Sequence, residues 1–150
     1  MTAARREWAE AVVTRARERF AVRRAALFWR DASGTLSCIA SAGPGGGVDW
    51  VGQVLPAGVG AAGRAVAERR PVWSADLLAD PRIPLADWLR ERLEQEGLRS
   101  VAAAPLRKGA EVLGALGLLD ERRTYGEADL ARLAAFAEEA ALGASSDESD

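Results

Sequence analysis

The sequence of 150 residues predicts an α+β fold whose strands pair in the antiparallel sense. Two pairs of short apolar runs are each joined by a few turn residues, a pattern typical of β-hairpins. Amphipathic helical patterns stand near both ends of the chain. Because such short connections force antiparallel pairing, we expect an antiparallel sheet with helices packed on it.

The N-terminal third predicts a helix followed by strands. Apolar side chains recur every four positions from Ala3 to about Arg19, which indicates a helix with one apolar face. The runs Ala25–Arg30 and Leu36–Gly43 are predicted to form a hairpin through the turn residues DASGT. Gly43–Asp49 is rich in glycine and is predicted to be a flexible surface loop. Trp50–Leu55 is predicted to be a third strand.

Short elements are predicted for the middle of the chain. A helix of about ten residues is expected from the glycine motif to Arg70, and the segment PVWSAD (71–76) is expected to be extended. Two prolines interrupt the next segment. A second helix is then predicted between Pro84 and Gly97, residues suited to its start and its end. Its apolar face carries Leu85, Trp88, Leu89 and Leu93.

The C-terminal third predicts a second hairpin and a last helix. Ser100–Arg107 and Glu111–Asp120 are joined by a turn, and the second run is apolar on both faces, as in a central strand. Thr124 and Glu127 match the capping box S/T-x-x-E and are predicted to open the helix. We expect residues 1–143 to form one domain and the acidic residues 144–150 to be a disordered tail.

Composition excludes several classes of function. The net charge is −2, with 20 basic residues interleaved among 22 acidic ones, so we expect neither a nucleic-acid nor a membrane partner. No membrane span or signal peptide is predicted, which indicates a cytoplasmic location. The chain has no histidine, so histidine-based catalysis and most metal sites are excluded, and we predict no cofactor. Cys38 stands alone and is interpreted as a small buried hydrophobe.

The stretch GVGAAG, residues 58–63, admits two interpretations. It matches the dinucleotide-binding pattern G-x-G-x-x-G, and Asp76 follows about twenty residues on, where a ribose ligand would lie. A doubly wound nucleotide fold needs parallel strands, which the two hairpins contradict. In the structural interpretation, Gly58 and Gly60 turn the chain sharply into a helix and Gly63 allows close packing. We prefer the structural interpretation.

The order of these features resembles the GAF domain family over about residues 7–143. Four motifs in order support the resemblance. They are the glycine motif, the segment Glu68–Val72 followed by Asp76, the set Arg99, Ser100, Pro105 and Leu106, and the segment from Gly114 to Leu116. It implies α/β/α layers, with a central antiparallel sheet of about six strands. The N- and C-terminal helices would lie on one face and the short helices and loops on the other.

The resemblance also implies a regulatory role. GAF domains commonly form homodimers through their terminal helices, and they serve kinases, phosphodiesterases, cyclases or transcription regulators. Many hold a small molecule beneath the short helices and loops. The cyclic-nucleotide signature of the family needs an asparagine, which this chain lacks, and its bilin and haem sites rely on histidine. The methionine-sulfoxide reductases of this fold use several cysteines.

The candidate ligand site consists of aromatic and polar residues in the covering segments. Three tryptophans stand where the wall of the family's pocket would be, with four polar residues as ligand-binding candidates. The alternative is that the tryptophans fill the space themselves. Asp76 and Asp80 are interpreted as turn acceptors and not as a catalytic pair. The seven candidates are Trp50, Gln53, Trp73, Ser74, Asp76, Trp88 and Arg99.

The sequence therefore predicts a non-enzymatic, cytoplasmic sensory domain that binds a small organic effector and forms a homodimer in signal transduction. The alternative is a ligand-free scaffold for dimerisation or protein docking. An NAD(P)-binding enzyme is a remote alternative, based on GVGAAG alone.

Overall fold

A computed structural model describes residues 1–144, which form four helices and six strands. The helices are α1 (Ala3–Phe20), α2 (Gly60–Glu68), α3 (Asp87–Glu96) and α4 (Glu127–Leu142), and a 3-10 turn spans Leu77–Ala79. The strands are β1 (Arg24–Arg30), β2 (Leu36–Ala42), β3 (Val54–Leu55), β4 (Val72–Ser74), β5 (Ser100–Lys108) and β6 (Glu111–Asp120). Residues 145–150 of the predicted tail lie outside the described residues, whereas Ala144 is buried.

The strands form one antiparallel sheet in the order β3-β2-β1-β6-β5-β4. Both predicted hairpins are present, because β1 pairs with β2 and β5 pairs with β6. The run that is apolar on both faces, β6, lies in the middle of the sheet between β1 and β5, as its pattern predicted.

Each face of the sheet carries its own hydrophobic core, because side chains alternate between the two faces of a strand. The α1 and α4 helices pack on one face, around Val12, Leu116 and Leu133. The α2 and α3 helices and the connecting segments cover the other face, around Leu93 and Leu119. The predicted fold class, an α+β domain with the terminal helices on one face, is confirmed.

Two element boundaries differ from the prediction. The third strand is only Val54–Leu55, since Trp50 and the two residues after it form turns in which Gly52 takes a φ of +95°. The α3 helix begins at Asp87, so Pro84 precedes it, and the Pro84 carbonyl instead accepts the N–H of Gly60 at 2.7 Å.

The capping of α4 also differs from the prediction. Gly126 is the N-cap residue, and its N–H donates to the Asp129 carboxylate at 2.9 Å. The predicted capping pair of Thr124 and Glu127 is therefore wrong, because each of these residues lies two positions before the residue that has the role. Thr124 precedes the N-cap, and Asp129 instead of Glu127 occupies the third helical position. Within the described chain, no helix has the length and apolar character needed to cross a bilayer.

Candidate functional site

The face covered by α2 and α3 encloses a cavity of about 20 Å³. Its lining is apolar and includes Phe28, Trp50, Leu77, Leu89, Val101 and Leu119. A volume of this size holds about one water molecule, and an apolar lining offers that water no hydrogen-bond partner. In this conformation, the covering segments fill most of the space in which the sequence predicted an effector.

Trp50 is the largest side chain that lines this cavity. Its side chain is 1% exposed, and its ring meets the ring of Trp88 edge to face at 5.6 Å. The Trp88 indole N–H donates to the Val54 carbonyl at 2.6 Å, which attaches α3 to the edge strand β3. These contacts favour the interpretation that Trp50 and Trp88 fill the face with their own bulk.

Arg24 forms a buried polar cluster beside Trp50, which the sequence patterns did not predict. The guanidinium is 1% exposed and lies 5.0 Å from the centre of the Trp50 ring. Its donors bind four oxygen atoms at 2.6 to 2.9 Å, on Glu96, Ser41, Gly46 and Pro44. This one side chain therefore joins the sheet, the glycine-rich loop and α3. The available signal was an arginine at the head of a strand whose next five residues are apolar.

Glu96 is the acidic partner in this cluster. One carboxylate oxygen accepts from Arg24 at 2.8 Å, and the other accepts from the Trp50 indole N–H at 2.8 Å. Burial by itself raises the pKa of the Glu96 carboxyl, but the hydrogen bonds from Trp50 and Arg24 outweigh it and hold that pKa below its usual range. Glu96 is thus ionised at neutral pH and holds the covering loop against α3.

Trp73 lies on the opposite face of the sheet from the other two candidate tryptophans. Successive side chains of β4 alternate, so Val72 packs against the α2–α3 core and Trp73 against the α1–α4 core. The Trp73 ring meets Tyr125 edge to face at 6.2 Å. Trp73 therefore does not line the cavity, and the sheet separates it from Trp50 and Trp88.

Ser74 and the two aspartates after it form the turns that follow β4. The Ser74 hydroxyl donates to the Asp80 carboxylate at 2.7 Å. Hydrogen bonds from the Arg82 guanidinium and from Ser74 hold the pKa of Asp80 far below its usual range. Asp76 accepts the N–H of Leu78 at 3.2 Å and begins the 3-10 turn. Both aspartates act as turn acceptors, as the sequence predicted.

The remaining polar candidates also make structural contacts. Arg99 donates to the carbonyls of Leu93 and Leu98 at the C-terminal end of α3. The Gln53 backbone carbonyl accepts the N–H of Cys38 at 2.9 Å, which ties the end of the loop to β2. Of the seven candidates, only Trp50 lines the cavity.

The glycine motif has the geometry that the structural interpretation required. Gly58 and Gly60 have φ values of +77° and +76°, which favour glycine at the entry to α2. A Cβ on Gly63 would lie 2.9 Å from the carbonyl carbon of Gly58, so the helix packs closely on its own preceding turn. The antiparallel sheet excludes the doubly wound fold on which the NAD(P) alternative depended.

Cys38 is 1% exposed, and burial raises the pKa of its thiol to about 12. It is therefore a thiol at neutral pH and packs as a small apolar side chain, as predicted.

A larger concave surface lies on the other side of the molecule, between α1 and α4. This α1–α4 groove has a volume of about 720 Å³. The Trp8 indole N–H donates to the Ala140 carbonyl at 2.9 Å, and the rings of Phe20 and Phe136 meet edge to face at 5.7 Å, which holds the helices side by side. Its lining includes Trp8, Arg15, Arg19, Arg132, Phe136 and Glu139.

The family model described as the GAF domain matches residues 5–143 of this chain. The chain is similar to the GAF domain of a phosphoenolpyruvate-protein phosphotransferase from Coxiella burnetii, with 21% identity, a TM-score of 0.78 and coverage of 95% of this chain and 83% of that one. It is similar to the GAF-B domain of DevS from Mycobacterium smegmatis, with 20% identity, a TM-score of 0.72 and coverage of 91% and 90%.

A third similar structure is a type II free methionine-R-sulfoxide reductase from Thermoplasma acidophilum, with 18% identity, a TM-score of 0.69 and coverage of 93% of this chain and 94% of that one. No curated protein sequence matches the chain. At these identities the solved structures establish a shared fold, and they assign no activity to this chain.

Proposed function

This chain belongs to the GAF domain family, and we propose that it is a regulatory module that pairs two copies through α1 and α4. GAF domains are sensory and regulatory modules of signalling proteins. The observation that carries the proposal is the contrast between two spaces: the internal cavity measures about 20 Å³ and the α1–α4 groove about 720 Å³. Pockets for organic ligands span roughly 300–1,000 Å³, so the cavity in this conformation is far too small for one.

The chemistry of the α1–α4 groove suits a second copy of the same chain. Trp8 and Phe136 supply half-buried aromatic surface, and Leu142 at the end of α4 is 69% exposed. Both helices bring both signs of charge to the groove, with Arg15, Glu18 and Arg19 on α1 and Arg132 and Glu139 on α4. In a twofold dimer each contact occurs twice, so arginines of α1 in one copy can meet the glutamate of α4 in the other.

Oligomeric state as a function of concentration tests this proposal. We expect sedimentation equilibrium to show a monomer–dimer equilibrium between low micromolar and several hundred micromolar protein. Ala135 is exposed and lines the groove, so Ala135→Arg places a bulky charge in the interface and should weaken association by at least about tenfold.

The matched control is Ala32→Arg, at an exposed position in the β1–β2 turn, which should dimerise like the unmodified protein. A monomer at all concentrations, or equal dimerisation of Ala135→Arg and the unmodified protein, would overturn the proposal. Circular dichroism of both variants checks that each retains its fold.

Effector binding remains a second candidate. The cavity supports it, because an apolar space already exists beneath Trp50 and a displacement of that one large side chain would enlarge it. The effector would be an uncharged, apolar molecule, since the lining offers no polar group. A thermal-shift screen with metabolites, with cyclic nucleotides as controls, checks this candidate. In both cases the module would regulate a signalling output such as a kinase, a cyclase, a phosphodiesterase or a transcription regulator.

We propose further that the domain is non-enzymatic. The single cysteine is buried and protonated at neutral pH, which argues against thiol chemistry of the kind a sulfoxide reductase performs. The cytoplasmic location stays a prediction from the sequence.

A further inference from the structure

A second groove lies at the end of the sheet where the β1–β2 turn, the entry to α2 and the end of α2 come together. Its volume is about 280 Å³. We call it the glycine-turn groove, and its lining includes Arg30, Gly34, Gly58, Gly63, Val66 and Arg69. It is separate in position from the internal cavity and from the α1–α4 groove.

The glycines create the space. A Cβ on Gly58 would meet no atom within 4 Å, so a side chain at this position would extend into open space at the groove. Gly63 packs against the Gly58 backbone, and this close approach keeps α2 next to the turn. The wall is apolar, with Val66 and Ala67 of α2 standing beside the buried side chains of Leu36 and Val112.

Two arginines give this apolar groove a positive charge. The Arg30 Nε donates to the Val112 carbonyl at 3.1 Å, and an Arg69 Nη donates to the Ala110 carbonyl at 2.8 Å. Each contact fixes one N–H donor of a guanidinium that has five, so the other donors are available to a ligand.

Several other arginines form ion pairs, among them Arg24, Arg64 and Arg82, whereas these two have no acidic partner among the described residues. Within residues 1–144, neither Arg30 nor Arg69 forms an ion pair. The acid next to Arg30 in sequence, Asp31, uses one oxygen to accept from Ser33 and Thr35 in the turn. The acid next to Arg69, Glu68, forms ion pairs with Arg64 and Arg70 instead. The groove is therefore a concave apolar surface with two uncompensated positive charges.

We propose that the glycine-turn groove binds a small organic carboxylate that carries a short apolar body. The guanidiniums would hold the carboxylate, because their fork geometry matches its two oxygen atoms. The apolar body would lie against Val66 and Ala67. The volume of about 280 Å³ is at the lower end of the range for ligand pockets, which limits the ligand to a few carbon atoms beyond the carboxylate. The proposal goes beyond dimerisation and does not depend on it.

Titration of the 15N-labelled protein with sodium hexanoate, followed by amide chemical shifts, tests the site. We expect saturable shifts at Gly34, Gly58, Val66 and Val112, with a dissociation constant on the order of 1 mM for so small a ligand. Hexanol, which has the same chain without the charge, should bind at least about tenfold more weakly.

Two variants test whether hexanoate binding depends on the groove residues and not on the overall charge of the protein. The double variant Arg30→Gln/Arg69→Gln removes both charges, and Ala67→Glu places a carboxylate in the groove at an exposed helical position. Each should weaken hexanoate binding by at least about tenfold. Arg90→Gln, at an exposed arginine of α3, should leave binding unchanged.

The absence of saturable shifts at these amides, equal binding of hexanoate and hexanol, or unchanged binding by the double variant would each overturn the proposal. Because the shifts are read residue by residue, they are informative whether the protein is a monomer or a dimer. Failure of this site is therefore distinguishable from failure of the proposed dimer.

Discussion

Gly114 is a position at which the fold admits no side chain. A Cβ there would lie 1.9 Å from the carbonyl oxygen of Phe28. The reason is that the β6 and β1 backbones lie very close together where Gly114 is paired with Trp29. Gly117 occupies the same strand, yet a Cβ on it would stand 3.8 Å from the nearest atom, the carbonyl oxygen of Ala26. The two glycines of β6 thus have different reasons to be present, and only the structure distinguishes them.

Gly114→Ala should destabilise the protein by about 3 kcal/mol, because the β1 and β6 backbones must separate to accommodate the methyl group. Gly117→Ala should change the free energy of unfolding by less than about 1 kcal/mol, since the new Cβ would be at an ordinary van der Waals distance from its neighbours. Urea unfolding of both variants measures the difference. Equal destabilisation by the two substitutions would contradict the close approach at Gly114.

The glycine-rich segment before β3 is held in place by the side chain of Arg24. The sequence predicted a flexible loop here, but Arg24 binds two of its carbonyls and connects it through Glu96 to α3. Trp50 at the end of the segment then donates to the same carboxylate. The cover of the α2–α3 face is therefore a connected unit, and its stability depends on one ionised glutamate.

Glu96→Gln should destabilise the protein at neutral pH by about 2–3 kcal/mol, because a buried guanidinium loses its counter-charge. The pKa of Glu96 is lowered by folding, so its contribution to stability is complete above its usual value of 4.5 and is lost as the pH falls through the lower folded pKa. The difference between the unmodified protein and Glu96→Gln should consequently shrink in acid.

Thermal unfolding between neutral pH and acid measures this effect. Glu94→Gln, at an exposed position of the same helix, is the control and should change stability by less than about 0.5 kcal/mol. If the difference between unmodified protein and Glu96→Gln grew as the pH fell, the assignment of Glu96 as an ionised partner would be wrong.

The whole molecule consists of two cores separated by one sheet. Leu133 of α4 is 1% exposed in one core, and Leu93 of α3 is 0% exposed in the other. Strands β1, β5 and β6 contribute side chains to both cores, so neither core can form without the strands that complete the other. We therefore expect the domain to unfold in a single transition.

Leu133→Ala and Leu93→Ala should each reduce the free energy of unfolding by about 2–5 kcal/mol, through lost burial and the cavity left behind. In both variants the transitions followed by far-ultraviolet circular dichroism and by tryptophan fluorescence should coincide. Tryptophans lie on both faces, with Trp8 and Trp73 on one side and Trp50 and Trp88 on the other. Separate midpoints for the two signals would show that the domain does not unfold in a single transition.

Local patterns in the sequence were sufficient to predict most of the fold. Turn residues between apolar runs predicted both hairpins, and apolar side chains on both faces of Glu111–Asp120 predicted the central strand. These features depend on residues close together in the chain, so they can be read from spacing alone. The resemblance to the GAF family supplied the arrangement of layers, which the structure confirms.

The candidate site depended on contacts between distant residues, which spacing does not reveal. Trp73 and Trp50 lie on opposite faces of the sheet, because successive side chains of β4 point to alternate faces. Arg24 binds Glu96, which lies 72 residues away in the sequence. The sequence determined the family, the two hairpins and the buried state of Cys38. Whether the covered face is hollow or filled was decided only by tertiary structure, because the volume of a cavity depends on how side chains from several elements pack together.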